Sequence, residues 1–160
     1  MINRQATVLT LTAISILFSS AAFADDSTQT ASADMHVKLT VEKSCQISVA
    51  DMDFGSHASD SGEIDVSADA SVTCTNGTSY SLTSESGRTY AMKNKDASET
   101  VAYNLYGDSD RTSDLSTTAI SGSGNGSAQV IPIYGKVASD ALAQAPAGDY
   151  ADTVTLTVTY

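Results

Sequence analysis

Ile64-Asp65-Val66-Ser67-Ala68-Asp69-Ala70-Ser71-Val72-Thr73-Cys74 is the stretch that decides the fold of this 160-residue chain. Ile64, Val66, Ala68, Ala70, Val72 and Cys74 share one parity; Asp65, Ser67, Asp69, Ser71 and Thr73 share the other. In a strand successive side chains point to opposite faces, so this is a long strand with one dry side and one wet side. It carries Cys74 inward. Thr75-Asn76-Gly77-Thr78 follows and reads as a tight hairpin turn, because Asn-Gly tolerates positive φ at both central positions. Tyr80 and Leu82 lead the return strand.

The same period recurs outward from this stretch. Cys45, Ile47 and Val49 alternate over 45–49. Val101, Tyr103 and Leu105 alternate over 100–106. Residues 129–137 are apolar and carry Pro132, which marks an edge or a bulge because proline has no N–H for the ladder. At the end Val154, Leu156, Val158 and Tyr160 alternate with Thr155, Thr157 and Thr159 over 153–160. With 64–74 and 79–84 these make six strands. Tyr90 and Met92 suggest short-strand contacts in the polar run 84–98. Residues 108–125 read as a long turn-rich segment, and 138–147 has room for a helical turn. No amphipathic helix of ordinary length follows residue 24. Short strands at turn-rich spacing predict an all-β sandwich.

Length and charge narrow the function. Asn3-Arg4, the mostly apolar run Thr7–Phe18 and Ala22-Phe23-Ala24 form a secretory signal pattern, and the apolar run is too short to span a bilayer comfortably. The expected organisation is a signal over 1–24, an N-terminal extension over 25–44 and a β domain over 45–160. Cleavage after Ala24 leaves 136 residues, with seven basic against nineteen acidic side chains, a charge of −12. So acidic a chain repels nucleic acid and anionic lipid. No second apolar run exists, so no membrane insertion is expected. Cys45 and Cys74 are the only cysteines; in an exported protein they are expected to pair as a structural staple.

No catalytic constellation emerges. There is no GxSxG elbow and no Walker or Rossmann glycine pattern. His36 and His57 are the only histidines, and a zinc site needs more ligands than that. Asp108-Ser109-Asp110 with Asp114 has a partial calcium-loop look but lacks the glycine and the late glutamate, and reads as a solvated acidic loop. Ser121 to Gly126 lacks the lysine and helix of a phosphate cradle and reads as a flexible loop. Asn76-Gly77-Thr78 and Asn125-Gly126-Ser127 match the glycosylation triplet, and turn chemistry explains both. No catalytic residue, metal or cofactor is expected.

One alternating stretch stands apart. Met35, Val37, Leu39 and Val41 are apolar, with His36, Lys38 and Thr40 between them. It lies between the polar leader Asp25–Ser32 and Cys45. Periodicity alone leaves two readings open: a seventh strand of its own domain, or a strand given to another copy.

Five stretches in order carry a family resemblance. They are Asp34–Leu39 ahead of Cys45; Ser71-Val72-Thr73-Cys74; Val101–Tyr106 with Asp110-Arg111; Ile131-Pro132-Ile133-Tyr134-Gly135; and Gly148–Val154. Together they resemble the spore coat protein U domain and, more closely, the major-pilin type of archaic chaperone–usher pili. The resemblance implies an incomplete immunoglobulin-like β-sandwich, completed by a donor strand from a neighbouring subunit. It implies Met35, Val37, Leu39 and Val41 as donor residues, a Cys45–Cys74 disulfide, and a C-terminal strand of Val154, Leu156, Val158 and Tyr160 bordering the acceptor groove. The implied partners are neighbouring pilin subunits in a homopolymer, a periplasmic chaperone and an outer-membrane usher. The implied role is a fimbrial subunit exported through the periplasm to the cell surface, supporting adhesion and biofilm formation. The long polar leader departs from the family pattern and leaves the start of the donor segment open. Two rivals remain: a secreted coat or matrix protein of the same domain family, and a tip adhesin, for which 136 residues leave no room for a second domain.

Overall fold

The computed structural model describes residues 28–160. The export signal read at 1–24 and the first residues of the leader lie outside the described residues. The chain divides between Lys38 and Leu39 into two units. Residues 28–44 form no helix or strand, so the strand reading of 35–41 is not met in the single chain.

Ten strands and one short helix build the rest. The alternation at 64–74 becomes β2 (Ile64–Cys74), flanked antiparallel by β1 (Cys45–Val49) and β8 (Ala128–Val137); β6 (Asn104–Tyr106) completes sheet A in the order β1-β2-β8-β6. Sheet B has the order β10-β3-β7, with β3 (Ser79–Ser84) between β10 (Leu156–Thr159) and β7 (Ile120–Ser123). Sheet C has the order β5-β4-β9, from β4 (Ala91–Asn94), β5 (Thr100–Ala102) and β9 (Tyr150–Ala151). Helix α1 is one short turn, Ser139–Ala143.

Ile64, Ala70, Ile133 and Val137 of sheet A meet Leu82 of sheet B in one buried cluster. Tyr90, Val101 and Tyr103 close the same cluster beside sheet C. A second cluster, Val72, Cys74 and Tyr80, joins sheets A and B near the disulfide. Cys45 and Cys74 sit opposite each other in the β1–β2 ladder and are bonded through their sulfurs.

Several sequence expectations need correction. The turn at 75–78 forms, with the Thr78 N–H donating to the Thr75 carbonyl at 3.0 Å, but only Gly77 has positive φ there. The strands it joins lie in different sheets, so it is an arch between layers and no hairpin. The strand expected over 100–106 is two strands. At Tyr103 the backbone N–H donates to Tyr90 O at 3.1 Å, and the chain passes from sheet C to sheet A. The strand expected over 153–160 is shortened to β10, after β9 has paired with β4 in sheet C. Strand β4 forms at Met92, where a short-strand contact was expected, whereas β7 lies in a run read as turn-rich. Strand β8 is internal in sheet order, yet β6 covers only Lys136, Gly135 and Tyr134, so Pro132 sits where β8 is locally an edge.

Candidate strand-acceptor groove

The site is a border where two sheets each end in an unpaired strand. β1 ends sheet A and β10 ends sheet B, and they approach without a ladder between them. Register tells which side chains face inward. Ile47 lies opposite Val72, and Val49 opposite Ala70, both partners fully buried. On the other side Leu156 lies opposite Ser84, and Val158 opposite the buried Leu82. Tyr160 continues that parity past the end of β10.

These inward side chains are not covered. Val49 is 49% exposed and Tyr160 56%. Cys45, Ile47, Val154, Leu156 and Val158 are only partly buried. Inner-face apolar residues at a sandwich border are normally removed from water by the neighbouring strand. Here register puts them inside and exposure leaves them outside. The border therefore presents two incompletely covered apolar rows beside two strand edges that lack a ladder partner, the arrangement that invites an added strand.

Of the residues expected to border the groove, Leu156 and Val158 lie in β10, Val154 precedes it half-buried, and Tyr160 follows it exposed. The opposite bank, Ile47 and Val49, was legible only as strand parity. The stretch expected to donate is itself uncovered: Met35 is 86% exposed, Val37 84%, Leu39 88% and Val41 72%.

The other candidate chemistry resolves into structural bonding. The Asp108 carboxylate accepts from Ser113 N at 2.7 Å, Thr112 N at 3.1 Å and Thr112 Oγ1 at 2.8 Å. Those bonds, the Ser113 backbone foremost, hold its pKa below the usual carboxylate range. Among the described residues no group of three or more His, Cys, Asp or Glu side chains is placed to hold a metal ion. His57 meets Phe54 O through Nε2 at 2.6 Å. The glycine run at 121–126 is no flexible loop: β7 takes its first part, Gly124 N donates to Thr78 O at 2.7 Å, and Gly126 N donates to Cys74 O at 3.0 Å.

A cleft of about 360 Å³ lies beside Arg88, Tyr90, Tyr103 and Asp140. Its Arg88 guanidinium and its Tyr103 hydroxyl are already engaged. Arg88 pairs with Glu85 and Asp152, and Tyr103 OH donates to Asp152 Oδ2 at 2.8 Å. Burial, then the bond to Asp152, pushes the Tyr103 hydroxyl up. Burial opposes ionisation of Asp152, but hydrogen bonds from Tyr103 and Arg88 outweigh it and hold that carboxyl low.

A family model described as Spore Coat Protein U domain matches residues 31–157. No curated protein sequence matches the chain. Among solved structures, the chain is similar to one in the crystal structure of a CsuC–CsuE chaperone–tip adhesion subunit pre-assembly complex, from archaic chaperone–usher Csu pili of Acinetobacter baumannii. The TM-score is 0.58 at 23% identity. The match covers 76% of this chain and 40% of that one, so this chain spans less than half the length of that neighbour.

Proposed function

The chain belongs to the Spore Coat Protein U domain family, and from that premise we propose that it is a structural pilus subunit that polymerises by strand donation. Residues 25–44 are the extension and 45–160 the receiving domain. Met35, Val37, Leu39 and Val41 of one copy enter the border between β1 and β10 of the next. A periplasmic chaperone holds the open domain, an outer-membrane usher assembles the homopolymer, and the fibre stands on the cell surface, serving adhesion and biofilm.

The observation that carries this reading is the pairing of two unsatisfied features: inner-face residues left exposed on β1 and β10, and an exposed alternating stretch ahead of Cys45. Four such side chains give about 6–12 kcal/mol of gross burial, an upper figure before entropy costs. The new ladder adds backbone bonds. Each subunit gives one strand and takes one, so the contact is head-to-tail and grows as a filament. The acidic charge and the Ser/Thr-rich outer faces favour solubility of single subunits before assembly.

The test is a denaturing gel of surface extracts, unheated and boiled, from cells making the full chain or a chain lacking residues 25–41. Strand donation gives a multimer ladder that collapses only on strong heating and is lost on truncation. A truncated chain that still gives the ladder overturns the reading.

A further inference from the structure

We propose that the Cys45–Cys74 rung and the Thr75 hydroxyl form a mechanical clamp, which passes tension from the chain ahead of residue 45 into the middle of sheet A. The proposal rests on the assembly reading above and concerns where pulling force goes inside each subunit.

β1 is an edge strand of five residues. In a fibre its free side faces the donated strand, and its first residue is continuous with the segment given to the next copy. β1 thus lies directly on the line of tension. A strand held by ladder bonds alone, pulled from its end, loads those weak bonds one rung at a time. The covalent bond sits at that end: Cys45 is the first residue of β1 and Cys74 the last of β2. β2 is the strand best able to receive the load. It has eleven residues and is paired along its other side to β8 from Ile64 to Thr73.

The bonding continues one rung past the disulfide. Thr75 N donates to Ser44 O at 2.9 Å. The Thr75 carbonyl is turned to Thr78 N in the arch, and the hydroxyl stands in for it. Oγ1 accepts from Ser44 N at 3.1 Å. Its own proton faces two carbonyl oxygens, Ser44 at 3.3 Å and Glu42 at 3.4 Å, and serves one at a time. The receiving end is anchored in turn: Gly126 N holds Cys74 O, and Gly77 N donates to Gly124 O at 2.8 Å. Residues 42–45 are therefore fastened to 74–75 by one covalent bond and a cluster of hydrogen bonds, at the point where the extension begins.

Single fibres of the full chain are stretched in an optical trap, oxidised and after treatment with a phosphine reductant. The trace itself reports which subunits were reduced, because opening the 29-residue separation releases about 100 Å more chain per unfolded subunit. Subunits with the longer step are expected to yield at a lower force than those with the short step in the same fibres. Equal yield forces for the two classes overturn the clamp. Failure of strand donation shows separately, as loss of the multimer ladder from cells making the oxidised protein.

Discussion

The sandwich has two borders, and they are finished differently. At the β6/β7 border the loop 107–119 closes the gap. Leu115 is fully buried, its N–H donates to Leu105 O of sheet A at 2.9 Å, and its carbonyl accepts from Ser84 N of sheet B at 3.3 Å. One residue thus plugs the core and ties the layers. Arg111 pins the same loop to the outer face of sheet A through Asp65 at 3.1 Å, with its guanidinium 5.7 Å from the Tyr134 ring centroid. At the β1/β10 border nothing comparable among the described residues covers Val49 or Tyr160. The chain seals one border with a single leucine and leaves the other open, which is the contrast the proposed strand donation uses.

The sharpest way to break this contrast is at the donor. Leu39→Asp places a charge on a side chain that is 88% exposed in the single chain and that the proposed strand donation would bury, where an unpaired charge costs several kcal/mol. The multimer ladder is expected to vanish while periplasmic yield of the subunit stays level; an unchanged ladder would separate Leu39 from assembly. The next test weighs the borders directly. Leu115→Ala is expected to destabilise the isolated subunit by about 2–5 kcal/mol, because it opens a cavity in a closed core. Val49→Ala costs the isolated subunit about 1 kcal/mol or less, since half of that side chain is already in water, and costs more in the fibre. Denaturant titration of subunit and fibre distinguishes them; equal costs in the subunit would mean the two borders are equally finished.

The smallest effect concerns the approach to β10. Asp152 precedes that strand and is held by Tyr103 and Arg88, with its pKa below the ordinary Asp value of about 3.9. A depressed folded-state pKa gives stability that is present above the ordinary value and lost as pH falls through the lower one. Asp152→Asn should therefore remove part of the acid-side loss while leaving the slope near neutrality alone, as read from melting temperature between pH 2 and 7. A variant with the parent's full acid-side slope would show that the carboxyl contributes nothing there.

Long alternating strands were legible because burial on one face writes itself into the residues. β1, β2 and β3 have the expected limits, and β8 begins one residue early. Short strands were legible only in part: β4 showed at Met92, and β7 did not. β7 puts Ile120 and Gly122 on its inner face, and that glycine is small because the Tyr80 ring lies over it; part of the inner face is supplied by the neighbouring strand's side chain. Leu115 was missed inside the run read as turn-rich; a large apolar residue among polar neighbours is a signal of a plug that strand periodicity cannot register. The arch at 75–78 has hairpin residues, since local turn chemistry does not specify which layer the next strand joins. On the groove, β10 and the alternating stretch were readable from parity. Their exposure was not, because the same alternation describes a covered strand and an uncovered one.

Pro132 carries a further consequence. Beyond the reach of β6, β8 offers a second stretch of free strand border, and there Pro132 has no N–H to present. An incoming strand that could settle against β1 and β10 meets a broken ladder on β8. On the proposed assembly, one hospitable border and one interrupted border would add partners in a single file, with no foothold from which to branch.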